Sequence, residues 1–171
     1  KTRPEAPPVL VTAGREALLA GDNEVGLTHF KKVFTLGGQY QWLVIQALGR
    51  QDADFFFEQF SFDDTALTSL RNYYAGLGNH EQSQIVGTKL AKDLVEQATS
   101  ETGVAAALTW SRAQDAFTFL KDERNALQAA RNAVAANPHE YALRKNLVNL
   151  LVAQKKFDEA VPLLEWCLKQ Y

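Results

Sequence analysis

Apolar residues recur three and four positions apart through most of this chain. The stretches Val9 to Ala20, Glu24 to Leu36, Thr65 to Leu77 and Gln82 to Ala98 each read as one apolar face of an amphipathic helix. No segment alternates strictly with β-branched enrichment, and no Asn-Gly or Asp-Gly pair marks a hairpin. The pattern predicts an all-α fold. Five short polar turns break the helical runs: "AGDNE" (20–24), "LGRQDA" (48–53), "LGNHEQ" (77–82), "LKDERNA" (120–126) and "AQKKFDEA" (153–160). A Gly or Lys stands at the same point of each, at Gly21, Gly49, Gly78, Lys121 and Lys155, where a left-handed helix cap is expected. Helix–turn–helix units repeated in this way are the mark of an α-solenoid.

Intervals between the turn residues are 28, 29, 43 and 34, so the repeat is regular only at the C-terminal end. A shift of 34 residues there lays Ala113 on Leu147, Phe117 on Leu151, Ala126 on Ala160, Ala130 on Leu164 and Ala133 on Cys167. Trp110, Ala113 and Phe117, then Ala126, Ala130, Ala133 and Pro138, follow the tetratricopeptide pattern, and the chain resembles that family. Small residues such as Ala126 and Ala160 let paired helices approach, and Pro138 ends a unit because it cannot continue a helix. The resemblance is good over 107–171 and looser over 64–96 and 7–38; 39–63 is too short for a regular unit. It implies a right-handed α-solenoid of antiparallel helix pairs, with approximate units 9–38, 39–63, 64–98, 99–140 and 141–171 after a Pro-rich linker at 1–8. The start "KTRPEAPPV" reads as part of a longer protein.

Three local features need separate readings. The stretch "EQATSETGVAAALTW" adds about nine residues to a regular repeat, and Thr99 or Ser100 is expected to cap an early-starting helix. Pro162 is expected near the first turn of the last helix, where a lost N–H matters least. The segment "DFFFEQFSFDD" (54–64) holds half of the ten phenylalanines within Phe55–Phe62. As a short helix it puts Phe56, Phe57 and Phe60 on one face and Phe55 and Phe62 roughly opposite. It is read as mostly core, with Phe55 or Phe62 exposed, Asp54 and Glu58 in solvent, and Asp63 or Asp64 capping the next helix.

Composition narrows the function. A formal net charge of −2 gives no electrostatic reason for a nucleic-acid partner. No apolar run approaches the ~20 residues that span a bilayer, so the chain is not expected to be membrane-embedded. Its single cysteine, Cys167, forbids an intrachain disulfide and is compatible with cytoplasm or periplasm alike; a buried structural thiol is expected there. His29, His80 and His139 share no helix face with a second ligand-type residue, so each reads as a surface or satisfied histidine. No nucleophile elbow, P-loop or dinucleotide fingerprint occurs. No cofactor or metal and no catalysis are expected in this chain.

The resemblance implies a protein or peptide ligand held in a concave groove lined by first helices. It places the groove residues at Thr68 and Asn72, at Ser111, Asp115 and Phe119, and at Lys145 and Asn149. Lys145 and Asn149, four apart, look like the pair with which some tetratricopeptide domains grip a peptide carboxylate, though Asp115 has the wrong sign for that role. The last helix carries more apolar surface than one neighbour buries, and Trp166 and Tyr171 are expected as exposed apolar contacts, either under a continuing chain or in a homodimer. The functional expectation is a scaffold or assembly adaptor within a larger protein. Alternatives are the regulatory or substrate-recruiting domain of an enzyme, and a secretion or pilus-assembly chaperone.

Overall fold

A computed structural model describes residues 6–169. Among them run ten α-helices and no strand: α1 (Pro7–Leu19), α2 (Asn23–Phe34), α3 (Gln39–Leu48), α4 (Ala53–Gln59), α5 (Asp64–Gly76), α6 (His80–Ser100), α7 (Gly103–Phe119), α8 (Glu123–Ala136), α9 (Tyr141–Ala153) and α10 (Phe157–Leu168). The chain divides into two units, one ending at Val86 and the other beginning at Gly87, so that α6 contributes to both. In the first, α1 pairs with α2, and α3 packs on α1, α2 and α5. In the second, α7 pairs with α8, α8 touches α9, and α9 pairs with α10.

Four of the five predicted turns are built alike. Gly21, Gly78, Lys121 and Lys155 have φ of 85°, 72°, 59° and 58°. Each donates its N–H to the carbonyl three residues back, on Leu18, Ala75, Thr118 and Val152. The next residue donates to the carbonyl five back, as Asp22 does to Ala17 and Asp122 to Phe117. This pair of bonds is the Schellman motif, which satisfies the last carbonyls of one helix. In three of the four turns the same residue caps the following helix: Asp22 accepts from the Val25 N–H, Asn79 from Gln82 and Asp122 from Asn125. Four residues beyond, Gly26, Ser83, Ala126 and Ala160 occupy equivalent positions and all are buried. Their small side chains allow the close crossing within each pair.

The turn at Gly49 departs from the expected left-handed cap. Its φ is −64°, open to any residue. Glycine there makes room for the Tyr73 ring, because a Cβ would lie 2.1 Å from the Tyr73 hydroxyl and 2.3 Å from Tyr73 Cζ and would displace that side chain. The Tyr74 hydroxyl donates to the Gln51 carbonyl at 2.7 Å, and Gln82 Oε1 accepts from the Ala53 N–H at 2.6 Å. Burial, then Asp52 and Tyr73, push the Tyr74 hydroxyl far above its ordinary range, so it stays a neutral donor. This turn is held by α5 and α6 from outside.

Asp52 caps α4 and Asp63 caps α5. Phe56 and Phe60 are buried, and Phe34, Phe56, Phe57, Phe60 and Phe62 form a chain of ring contacts with centroids 4.8–6.3 Å apart. Asp54 and Glu58 are exposed. Phe55 and Phe62 are partly buried instead of exposed, since Phe55 packs edge-on to Phe56 and Phe62 lies against Phe34.

Other boundaries shift. Pro7 and Pro8, expected in the linker, open α1, where a missing N–H is harmless. The added residues near 100 extend α6 to Ser100, and Thr99 and Ser100 bond back to the Val95 and Gln97 carbonyls instead of capping α7. Pro162 sits deeper than the first turn of α10, on the exposed face. In the second unit Leu127, Ala130, Leu147, Leu151 and Ala160 form one apolar cluster joining both helix pairs. Cys167 is buried.

Candidate interaction surface

The residues expected in a groove divide between the units. Thr68 and Asn72 lie on α5 in the first. Thr68 turns its hydroxyl back to the Asp64 carbonyl, and Asn72 Oδ1 accepts two bonds from the Arg71 guanidinium. Asn72 is exposed, and its Nδ2 makes no hydrogen bond with the described residues.

The other five lie on α7 and α9. At about 100° per residue, Val104, Leu108, Ser111, Asp115 and Phe119 form one stripe of α7, and Lys145, Asn149 and Val152 one stripe of α9. Val104, Leu108 and Val152 are exposed, although apolar. The sequence reading missed these three; their spacing of three and seven from Ser111, Lys145 and Asn149 was the available signal. Lys145 and Asn149 are exposed and make no hydrogen bond or ion pair with the described residues. Ser111 is partly buried and Asp115 exposed. Phe119 is less available than expected: its ring lies 3.3 Å from where a Cβ on Gly87 would stand, so glycine there makes room for it.

A partly buried amide pair links α7 and α9. Asn146 Nδ2 donates to Gln114 Oε1, and Gln114 is only 5% exposed. Gln114 is on the edge of α7 next to Ser111 and Asp115, and Asn146 on the edge of α9 next to Lys145 and Asn149. Both helices are joined to α8 by short connections. At the start of α7, Glu101 accepts from the Thr109 hydroxyl at 2.6 Å and from Gln97 at 2.8 Å. These bonds hold its carboxyl below the usual range.

The C-terminal helix presents a second surface. Phe157, Val161, Leu164 and Leu168, at spacings of four, three and four, form an exposed apolar stripe along α10. Trp166 is not part of it. Trp166 is partly buried, with the Arg144 guanidinium 3.8 Å above its ring centroid, so a cation–π contact covers the face expected to be open. Tyr171 lies outside the described residues.

His80 and His139 are exposed, as expected, whereas His29 is partly exposed and its Nδ1 is buried without a hydrogen-bond partner. No group of three His, Cys, Asp or Glu side chains is placed to hold a metal among the described residues. No described helix is long and apolar enough to cross a membrane.

The repeated Schellman turns and the small buried residues four positions beyond them define the class: an all-α helical-repeat protein of tetratricopeptide-like helix pairs. No family model and no curated protein matches the sequence. The chain is similar to a solved structure described as MamA AMB-1 P212121, with a TM-score of 0.45 and 12% identity over 95% of this chain and 90% of that one. At that level of likeness, the functional reading rests on this chain's own residues.

Proposed function

We propose that this chain is a divergent tetratricopeptide-type protein-interaction module, acting as a scaffold or assembly adaptor, and that its second unit binds a protein or peptide across α7 and α9. The supporting observation is the double stripe on either side of the Gln114–Asn146 bond. Val104, Leu108 and Val152 supply apolar contact, and Ser111, Asp115, Lys145 and Asn149 supply polar contact. The packing core uses none of the exposed members. A surface mixing apolar anchors with polar groups of both signs suits protein better than nucleic acid.

A photo-crosslinking amino acid tests this in the cells that make the protein. Placed at Leu108 or Asn149 it is expected to give a discrete protein adduct. Placed at the exposed Gln128 or Arg124 of α8 it is expected to give none. Equal labelling at all four positions would overturn the reading.

The stripe on α10 favours a second reading, a homodimer through this helix. The same crosslinker at Leu164 is then expected to yield a band of twice the chain mass. A chain that stays monomeric by light scattering across a wide concentration range removes this reading and leaves the first intact.

A further inference from the structure

The 34-residue shift that relates the helix pairs of the second unit lays α10 on α8, and the two helices are covered to different extents. On α8, Leu127 and Ala130 are each 2% exposed, in one cluster with Leu147 and Leu151 of α9 and Ala160 of α10, and Val134 packs against it. The residues 34 positions later are Val161, Leu164 and Leu168, which are 51%, 46% and 68% exposed. Counted from the small residue of each pair, the positions of Leu164 and Leu168 are Phe30 and Phe34 on α2 and Gly87 and Ala91 on α6, and all four are buried. Phe157, also exposed, stands where α8 has the charged Glu123. The face that seats a following helix pair on α8 is thus apolar on α10 and open among the described residues.

Charge narrows the occupant. Arg131 of α8 pairs with Glu159, the residue before Ala160 in the first turn of α10. The second helix of the pair seated on α8 therefore bridges back to it. The equivalent of Arg131 on α10 is Glu165, which is exposed and whose carboxylate makes no hydrogen bond or ion pair with the described residues. A helix pair seated on α10 in the same way meets a carboxylate where α10 meets a guanidinium, so it needs Lys or Arg where α10 has Glu159. A second copy has none to offer, since the residues before Gly26, Ser83 and Ala126 are Val25, Gln82 and Asn125.

We infer that the exposed face of α10 is a docking site for a helical hairpin of a different polypeptide, seated as α9 and α10 sit on α8. The first helix of that hairpin carries two large apolar residues four apart, as Leu147 and Leu151 are. Its second helix carries a small residue nine positions after the second of them, as Ala160 is, preceded by Lys or Arg. The inference takes up the stripe of the homodimer reading and assigns it a different occupant. It does not depend on the surface of α7 and α9.

The test titrates the full chain with two labelled synthetic peptides, each copying residues 140–169. In both, Val161, Leu164 and Leu168 are replaced by Gln, so that the peptide seats no further copy of itself. One keeps Glu159 and the other has Glu159→Lys. Fluorescence anisotropy at low salt is expected to show the Lys peptide binding about fivefold more tightly than the Glu peptide. Glu165→Lys in the full chain is expected to reverse that order, and Leu164→Asp to weaken both peptides at least about tenfold. Should Leu164→Asp unfold the chain, Leu168→Asp, at a more exposed position, serves instead. Absence of binding at high micromolar peptide would overturn the inference. So would an order of affinities that Glu165→Lys leaves unchanged, or binding indifferent to the apolar substitution in a folded variant. A dimer in light scattering that Leu164→Asp dissolves, with neither peptide bound, would refute this inference and leave the homodimer reading standing.

Discussion

The turn between α7 and α8 and the turn between α3 and α4 each join consecutive helices, by different means. In the first, Lys121 takes a left-handed φ, two backbone bonds close the end of α7, and Asp122 caps α8. Every partner lies within five residues. In the second, Gly49 has an ordinary φ and sits under the Tyr73 ring, while Tyr74 and Gln82 reach in from α5 and α6 to hold Gln51 and Ala53. Those partners are 23 and 29 residues away. One turn carries its own instructions, and the other is imposed by its neighbours. The regular turns recur through the chain, whereas the imposed one coincides with the shortest helix, α4, and with the aromatic cluster.

Substitutions can break this contrast. Gly49→Ala is expected to have the largest effect, a loss of about 1–3 kcal/mol, because the new methyl displaces Tyr73 from Gly49 and disturbs its edge contact with Trp42. Denaturant unfolding measures it. In a Tyr73→Ala background the same change should cost nothing or stabilise, since a backbone at φ −64° suits alanine. A full cost in that background would refute the steric account.

Lys121→Gly is expected to act in the opposite direction, raising stability by up to about 1 kcal/mol by relieving a left-handed side chain. Gly78→Ala should lose a similar amount at the equivalent position. If the two changes do not move the melting temperature in opposite directions, the turns are not equivalent.

Acid should produce the smallest effect. Hydrogen bonds from the Asn125 backbone and side chain hold the Asp122 carboxyl below its usual range, and Thr109 and Gln97 do the same for Glu101. Both groups therefore contribute stability that is present above about pH 4, the unfolded range, and lost as pH falls through their lower folded values. Asp122→Asn should flatten part of the acid limb of a stability profile while leaving neutral stability little changed. An unaltered limb would show that this cap is not what titrates.

The same division explains how much of the molecule the sequence disclosed. Helices α1, α2, α5 and α6 follow the three-and-four spacing, and the turns at Gly21, Gly78, Lys121 and Lys155 were legible because their chemistry is local. The candidate surface was legible in part. The resemblance pointed to Ser111, Asp115, Lys145 and Asn149 as a proposed surface, but not to the packing of Phe119 at Gly87 or of Arg144 over Trp166. Such contacts depend on which side chains from another helix arrive at a position, and helix periodicity does not carry that information. The stretch Phe55 to Phe62 shows the boundary. Its sequence determined a short, capped, aromatic helix, since Asp52 and Asp63 sit where caps are needed and the rings demand burial. Only the tertiary structure decided that Phe34 would meet Phe60 and Phe62, and that their rings would wall a cavity over a buried Gln41. Phe34 comes from α2 and Phe60 and Phe62 from the end of α4 and the link to α5, and the space they enclose exists only once those segments pack.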